Sequence, residues 1–136
     1  MIKYKLIIVE NDEDEQFFMK EGFDVAGVFE IVSQLKNGDA LFEWLEEHKP
    51  SLPDVILSDL NMPGKNGYDI LEGIKADPAY RHIPVIITST SSAKVMIDRC
   101  LKLGASGYMV KPDTFIAYAA FANDLYKLIQ EQQLVK

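Results

Sequence analysis

The stretch Val55-Ile56-Leu57-Ser58-Asp59-Leu60-Asn61-Met62-Pro63-Gly64 decides the fold, because an apolar run of strand length stops at an aspartate and passes at once into turn-forming residues. A second run, Leu6-Ile7-Ile8-Val9, also ends in acid, at Glu10, Asn11 and Asp12. Val85-Ile86-Ile87 ends in the hydroxyl series Thr88-Ser89-Thr90-Ser91-Ser92, and Gly107 to Val110 ends at Lys111. Four strand ends carrying carboxylates, hydroxyls and an amine describe one charged rim, suited to a metal ion and a phosphoryl group.

Working outward, apolar runs alternate with helical periodicities, the pattern of βα units on a parallel sheet. Five of each are expected. The first strand covers about Lys5 to Glu10, followed by a helix from Asp14 to Val25 whose start is marked by Glu13, Asp14 and Glu15. The second covers Phe29 to Ser33, and a helix over Ala40 to Glu47 places Leu41, Trp44 and Leu45 on one buried face. After the third strand, Val55 to Ser58, a helix over Gly67 to Ala76 buries Ile70, Leu71 and Ile74. Lys94 to Leu103 is a helix stopped by Gly104, and Thr114 is expected to cap a long last helix reaching Gln130.

Length and composition bound the function. At 136 residues one domain, residues 1–136, is expected, without an attached output domain. No apolar stretch approaches the ~18 residues of a membrane span, and no signal-type segment precedes the first strand, so a cytoplasmic location is expected. Cys100 is the only cysteine, which excludes an internal disulfide and fits a small buried hydrophobe. The net charge of −7 with scattered basic residues argues against direct nucleic-acid binding, so a partner is expected to be a protein.

In an open parallel sheet, ligands sit beyond the carboxyl ends of the strands where the strand order reverses. With the order 2-1-3-4-5 that point falls between strands one and three, and the carboxylates of Glu10, Asp12 and Asp59 converge there. Clustered carboxylates repel unless a cation joins them. Mg²⁺ suits such a site, since it takes one or two carboxylates, keeps several waters and coordinates phosphate oxygens. An aspartate beside it can act as nucleophile and form an acyl phosphate. Singly, each feature has a plainer reading: acids after a strand also occur in solvated loops, and Lys-Pro or a serine-threonine run is common.

Taken together, these residues resemble the receiver domain of two-component response regulators over nearly the whole chain. Leu6 to Asp12 is similar to the family's first strand and acidic pair, Asp59 to Gly64 to its phosphoacceptor loop, and Ile83 to Ser89 to its fourth strand. Leu103-Gly104-Ala105-Ser106-Gly107-Tyr108-Met109-Val110-Lys111-Pro112 is similar to its most recognisable stretch. The resemblance implies a flavodoxin-like fold and a phosphorelay protein, not an enzyme in its own right. In it Asp59 accepts a phosphoryl group from a sensor histidine kinase or histidine phosphotransfer protein. It also implies Mg²⁺ held by Glu10, Asn11, Asp59 and the carbonyl of Asn61, with Lys111 on the phosphoryl oxygens and a cis peptide between Lys111 and Pro112. Ser89 and Tyr108 would be the switch residues that alter the surface of the fourth helix, fifth strand and fifth helix. A separate downstream protein would read that surface, as in chemotaxis-type and phytochrome-associated single-domain receivers.

One residue departs from the pattern. Asn11 stands where the family has a second metal-binding acid. At ~5 Å and an effective dielectric of ~20, the missing carboxylate forfeits about 3 kcal/mol of attraction per unit of cation charge. Weaker Mg²⁺ binding is expected, with Asp12 as the neighbouring acid that would compensate. A phosphorylation-independent interaction domain with a degraded metal site is the alternative. An aspartyl-phosphate phosphatase is disfavoured by Asn61, which stands where such enzymes carry an acid. The final helix, with Tyr118, Phe121, Leu125 and Leu128, leaves monomer and homodimer both open.

Overall fold

Strand formation follows the apolar runs, and the computed structural model, which describes residues 2–135, resolves them into one parallel sheet. The strands are β1 (Tyr4–Val9), β2 (Phe29–Leu35), β3 (Val55–Asp59), β4 (Val85–Ser89) and β5 (Gly107–Val110). Their spatial order is β2-β1-β3-β4-β5 and every pairing is parallel. The helices are α1 (Glu13–Ala26), α2 (Gly38–Glu47), α3 (Gly67–Ala76), α4 (Lys94–Lys102) and α5 (Tyr118–Glu131).

Because side chains alternate along a strand, each strand feeds two cores. Leu6, Ile8, Val55, Leu57 and Ile86 pack with Met19 and Phe23 of α1 and with Phe121, Leu125 and Ile129 of α5. Ile7, Val9, Ile56, Val85 and Ile87 face the other way, onto α2, α3 and Cys100 of α4. Each such side chain contributes roughly 1.5–3 kcal/mol by leaving water, so a register slip of one residue is strongly disfavoured.

Helix ends are set by short polar residues. Asn37 caps α2 by accepting from Ala40 N at 2.8 Å, and Asn66 and Asp69 form a reciprocal capping box on α3. Gly104, at φ 104°, ends α4 in a Schellman turn, with Ala105 N donating to Cys100 O and Gly104 N to Leu101 O.

Four local expectations need correction. β2 continues past Ser33 to Leu35, because Gln34 and Leu35 still pair with Ile8 and Val9. α2 starts at Gly38, the Asn37 cap having moved its first turn two residues earlier. Thr114 makes no side-chain cap; its carbonyl accepts from Ala117 N in a 3₁₀ turn, Phe115–Ala117, and α5 begins only at Tyr118. Trp44, expected in the core, is half-buried and stacks on His48 at 3.9 Å. Among the described residues, no helix is long and apolar enough to cross a membrane.

Candidate functional site

β1 and β3 lie side by side, so their carboxyl ends open on one crevice between α1 and the loop after β3. Glu10 directly follows β1. Its position is fixed from three directions: Glu10 N donates to Leu35 O, Gln16 Nε2 donates to Glu10 O at 2.6 Å, and Asp12 N donates to Glu10 Oε2 at 3.1 Å. Asp59 is the last residue of β3. The loop after it is held by Leu60 N donating to Thr88 O at 3.0 Å and Gly67 N donating to Leu60 O at 2.9 Å. A Cβ on Gly67 would stand 2.9 Å from Leu60 Cα, so only glycine lets α3 start this close to the loop.

Lys111 follows β5 and reaches back across the sheet. Its Nζ lies 2.7 Å from Glu10 Oε1 and 3.3 Å from Asp59 Oδ1, and all three side chains are nearly buried. Burial pushes the carboxyls of Glu10 and Asp59 above the usual range, opposed chiefly by Lys111. Burial acts to lower the Lys111 amine, but the hydrogen bond to Glu10 and the charges of Asp59 and Glu10 outweigh it, and the pKa ends raised. The cluster therefore balances two acids against one cation.

The other expected residues are placed less centrally. Asn11 and Asn61 are exposed at the crevice mouth. Asp12 is spent as the N-cap of α1, accepting from Glu15 N at 2.9 Å, so it is turned to the helix and not held as a spare ligand. Ser89 is buried, and its Oγ accepts from Ser91 N at 3.2 Å. Tyr108 Oη donates to Ser91 O at 2.7 Å, so the two expected switch residues grip Ser91 from opposite ends. The Lys111–Pro112 bond is trans, not cis, as are all peptide bonds among the described residues. The two isomers of an X–Pro bond differ by only about 0.5–1 kcal/mol, and here the trans form already brings the amine to both carboxylates.

Sequence reading missed Tyr118 and Glu15. Tyr118, buried at the start of α5, donates its hydroxyl to the Glu15 carboxylate of α1, and burial with that neighbour raises the phenol strongly. This pair ties α5 to α1 beside the crevice. Its signal was long-range and had no local pattern.

Among the described residues no group of three or more His, Cys, Asp and Glu side chains is poised for a metal. A divalent ion here would rest on two carboxylates, the Asn11 amide and carbonyl oxygen. The convergence of Glu10 and Asp59 on a single ammonium shows that both reach one cation, and this donor set suits Mg²⁺.

A five-stranded parallel α/β domain of order 2-1-3-4-5, with an aspartate, a glutamate and a lysine gathered at its topological switch point, has the doubly wound, flavodoxin-like fold. The chain belongs to the response regulator receiver domain family, whose model matches residues 6–118. It is 30% identical to the chemotaxis protein CheY1 of Helicobacter pylori over 110 residues, 81% of this chain and 86% of that one. Plant two-component response regulators match over a shorter, 59-residue stretch that covers about a third of their length. The phosphorylated cyanobacterial phytochrome response regulator RcpA superposes with a TM-score of 0.82 at 26% identity, covering 96% of each chain. The Mn²⁺-bound form of response regulator Rcp1 gives 0.70 at 26% identity, covering 94% of this chain and 90% of that one.

Proposed function

We propose that this chain is a phosphoacceptor in a two-component phosphorelay, with Asp59 taking a phosphoryl group from a sensor histidine kinase or a histidine phosphotransfer protein. The observation that carries the reading is the pairing of Lys111 with both Glu10 and Asp59 at the switch point of the sheet. Kinship with CheY1, and the phosphorylated state in which RcpA was solved, support it.

In this reading an Asp59 carboxylate oxygen attacks phosphorus, forming the acyl phosphate as the bond to the donor nitrogen breaks. Bound Mg²⁺ supplies charge neutralisation on the phosphoryl oxygens. Glu10 and Asp59, with the Asn11 amide and the Asn61 carbonyl, would hold that ion. Lys111 pairs with a phosphoryl oxygen, and burial keeps water away from the new bond. A donor would approach past the mouth formed by Glu15, Thr90, Lys111 and Phe115.

The output follows from Ser91. Ser89 drawn toward a phosphoryl oxygen releases the Ser91 N–H, and Tyr108, which holds the Ser91 carbonyl, loses a fixed partner and turns inward. A local charge change thereby biases the α4-β5-α5 surface between two states, and a separate protein reads it. Incubation with acetyl phosphate or phosphoramidate and Mg²⁺, followed by intact-mass measurement, tests this reading. One added phosphoryl mass is expected; no addition while Mg²⁺ is bound would favour a phosphorylation-independent interaction domain.

A further inference from the structure

Thr88 carries a buried hydroxyl with nothing to bond. The residue is 1% exposed, and its Oγ1 has no hydrogen-bond partner. Burying a hydroxyl without a partner costs free energy, and such groups in a folded protein call for a reason.

Its position supplies one. Thr88 is in register with Asp59 on β3 and with Met109 on β5. By strand alternation it shares the face of Ile86, which is the face of Leu57, Ile8 and Met109, and so of Asp59, Glu10 and Lys111. Lys111, starting beyond β5, must cross β4 to reach Asp59 on β3 and Glu10 beside β1. Thr88 is the buried β4 residue of that face, directly in register with Asp59.

An ammonium has three N–H donors. Glu10 and Asp59 accept two of those of Lys111, and the third has no partner among the described hydrogen bonds. The Tyr118 hydroxyl is unavailable, because it is committed to Glu15. When Glu10 and Asp59 turn their oxygens to a divalent cation, Lys111 and that ion repel each other, and the amine must draw back along its own path. That path leads over β4.

We infer that Thr88 is a positioning residue whose Oγ1 accepts a Lys111 N–H in the metal-loaded site, parking the amine between β3 and β5 within reach of a phosphoryl oxygen on Asp59. The inference rests on the phosphoacceptor reading above. It explains why a hydroxyl is kept where an apolar side chain would pack without penalty: the orphan gains a partner once the amine draws back over β4.

The test compares Thr88→Val, which keeps the shape and removes the hydroxyl, with Thr88→Ser, which keeps the hydroxyl. Mg²⁺ affinity is measured by calorimetry, thermal midpoint in chelator, and acetyl-phosphate labelling by intact mass. Thr88→Val is expected to melt no lower than the wild type in chelator, yet to bind Mg²⁺ at least threefold more weakly and to label more slowly. Thr88→Ser is expected to bind within threefold of the wild type. If Thr88→Val folds poorly, Thr88→Ser against Thr88→Ala makes the same comparison. Mg²⁺ affinity within threefold of the wild type without the hydroxyl, or no rescue by serine, overturns the inference while wild-type labelling leaves the phosphoacceptor reading standing. A wild type that neither binds Mg²⁺ nor labels removes both.

Discussion

Lys111 Nζ lies 2.7 Å from Glu10 Oε1, a contact between residues 101 apart in sequence that spans the sheet from beyond β5 to the end of β1. It passes Asp59 on the way, at 3.3 Å. The amine is thus the only cation in contact with two buried acids among the described ion pairs, and the behaviour of the site follows from that imbalance.

Replacing Lys111 by Met leaves Glu10 and Asp59 buried and facing each other without a counter-charge. Breaking a buried pair from one side costs about 3–5 kcal/mol near neutral pH, which urea denaturation at pH 7 will read as a lowered midpoint. The deficit should shrink in acid. Both carboxyls have folded-state pKa values raised by burial, so their contribution is fully present below the unfolded values and is lost as pH rises through the folded ones. Lys111→Met raises both further, so its penalty grows with pH; a penalty that is flat from acid to neutral would show that the acids do not feel the amine.

Metal binding should carry the same signature. Mg²⁺ needs Glu10 and Asp59 ionised, and each proton displaced weakens apparent affinity by up to about tenfold per pH unit below the raised pKa values. Calorimetric titrations in steps from pH 8 to pH 5 are expected to show the fall beginning above the ordinary carboxylate range. An affinity independent of pH would place the ion elsewhere.

Asn11→Asp restores a carboxylate at the exposed mouth of the crevice, where Coulomb attraction at ~5 Å is worth about 3 kcal/mol per unit of cation charge before desolvation is subtracted. Mg²⁺ should bind at least tenfold more tightly. The metal-free protein should lose stability at neutral pH, since a third acid joins Glu10 and Asp59. Unchanged or weaker Mg²⁺ affinity would mean that this side chain does not face the ion.

Gly22 is where α1 meets α5. A Cβ there would stand 2.5 Å from Tyr118 Cβ and 2.7 Å from Tyr118 C, too close for any side-chain rotation to relieve. Gly22→Ala should cost about 1–3 kcal/mol through overpacking, despite alanine's better helix propensity, and should disturb the Tyr118–Glu15 bond beside the site. A thermal melt reads the first effect. A stabilised variant would contradict the close approach.

The sheet was legible because apolar runs of strand length and helical spacings alternate without interruption, and a parallel sheet buried on both faces requires that pattern. Asp59, Glu10 and Lys111 were legible as strand-end residues, and their convergence followed from the strand order. What sequence could not carry was how polar groups choose partners across long separations. Asp12 looked like a spare metal acid, but its proximity to the Glu15 amide made it a cap. Thr114 looked like a cap, but the chain needed a 3₁₀ turn to bring Phe115 onto Phe18, where the rings stack at 4.2 Å. Tyr118 and Glu15 meet only because Gly22 lets α5 approach α1, a packing event with no local signature.

The most direct measurement is to locate the phosphoryl group. After treatment with acetyl phosphate and Mg²⁺, borohydride reduction converts an aspartyl phosphate to homoserine, which peptide mass mapping assigns to a residue. Conversion at Asp59, absent from Asp59→Asn, is the predicted result. Conversion at another acid, or none in a wild-type protein shown to hold Mg²⁺, would contradict the account.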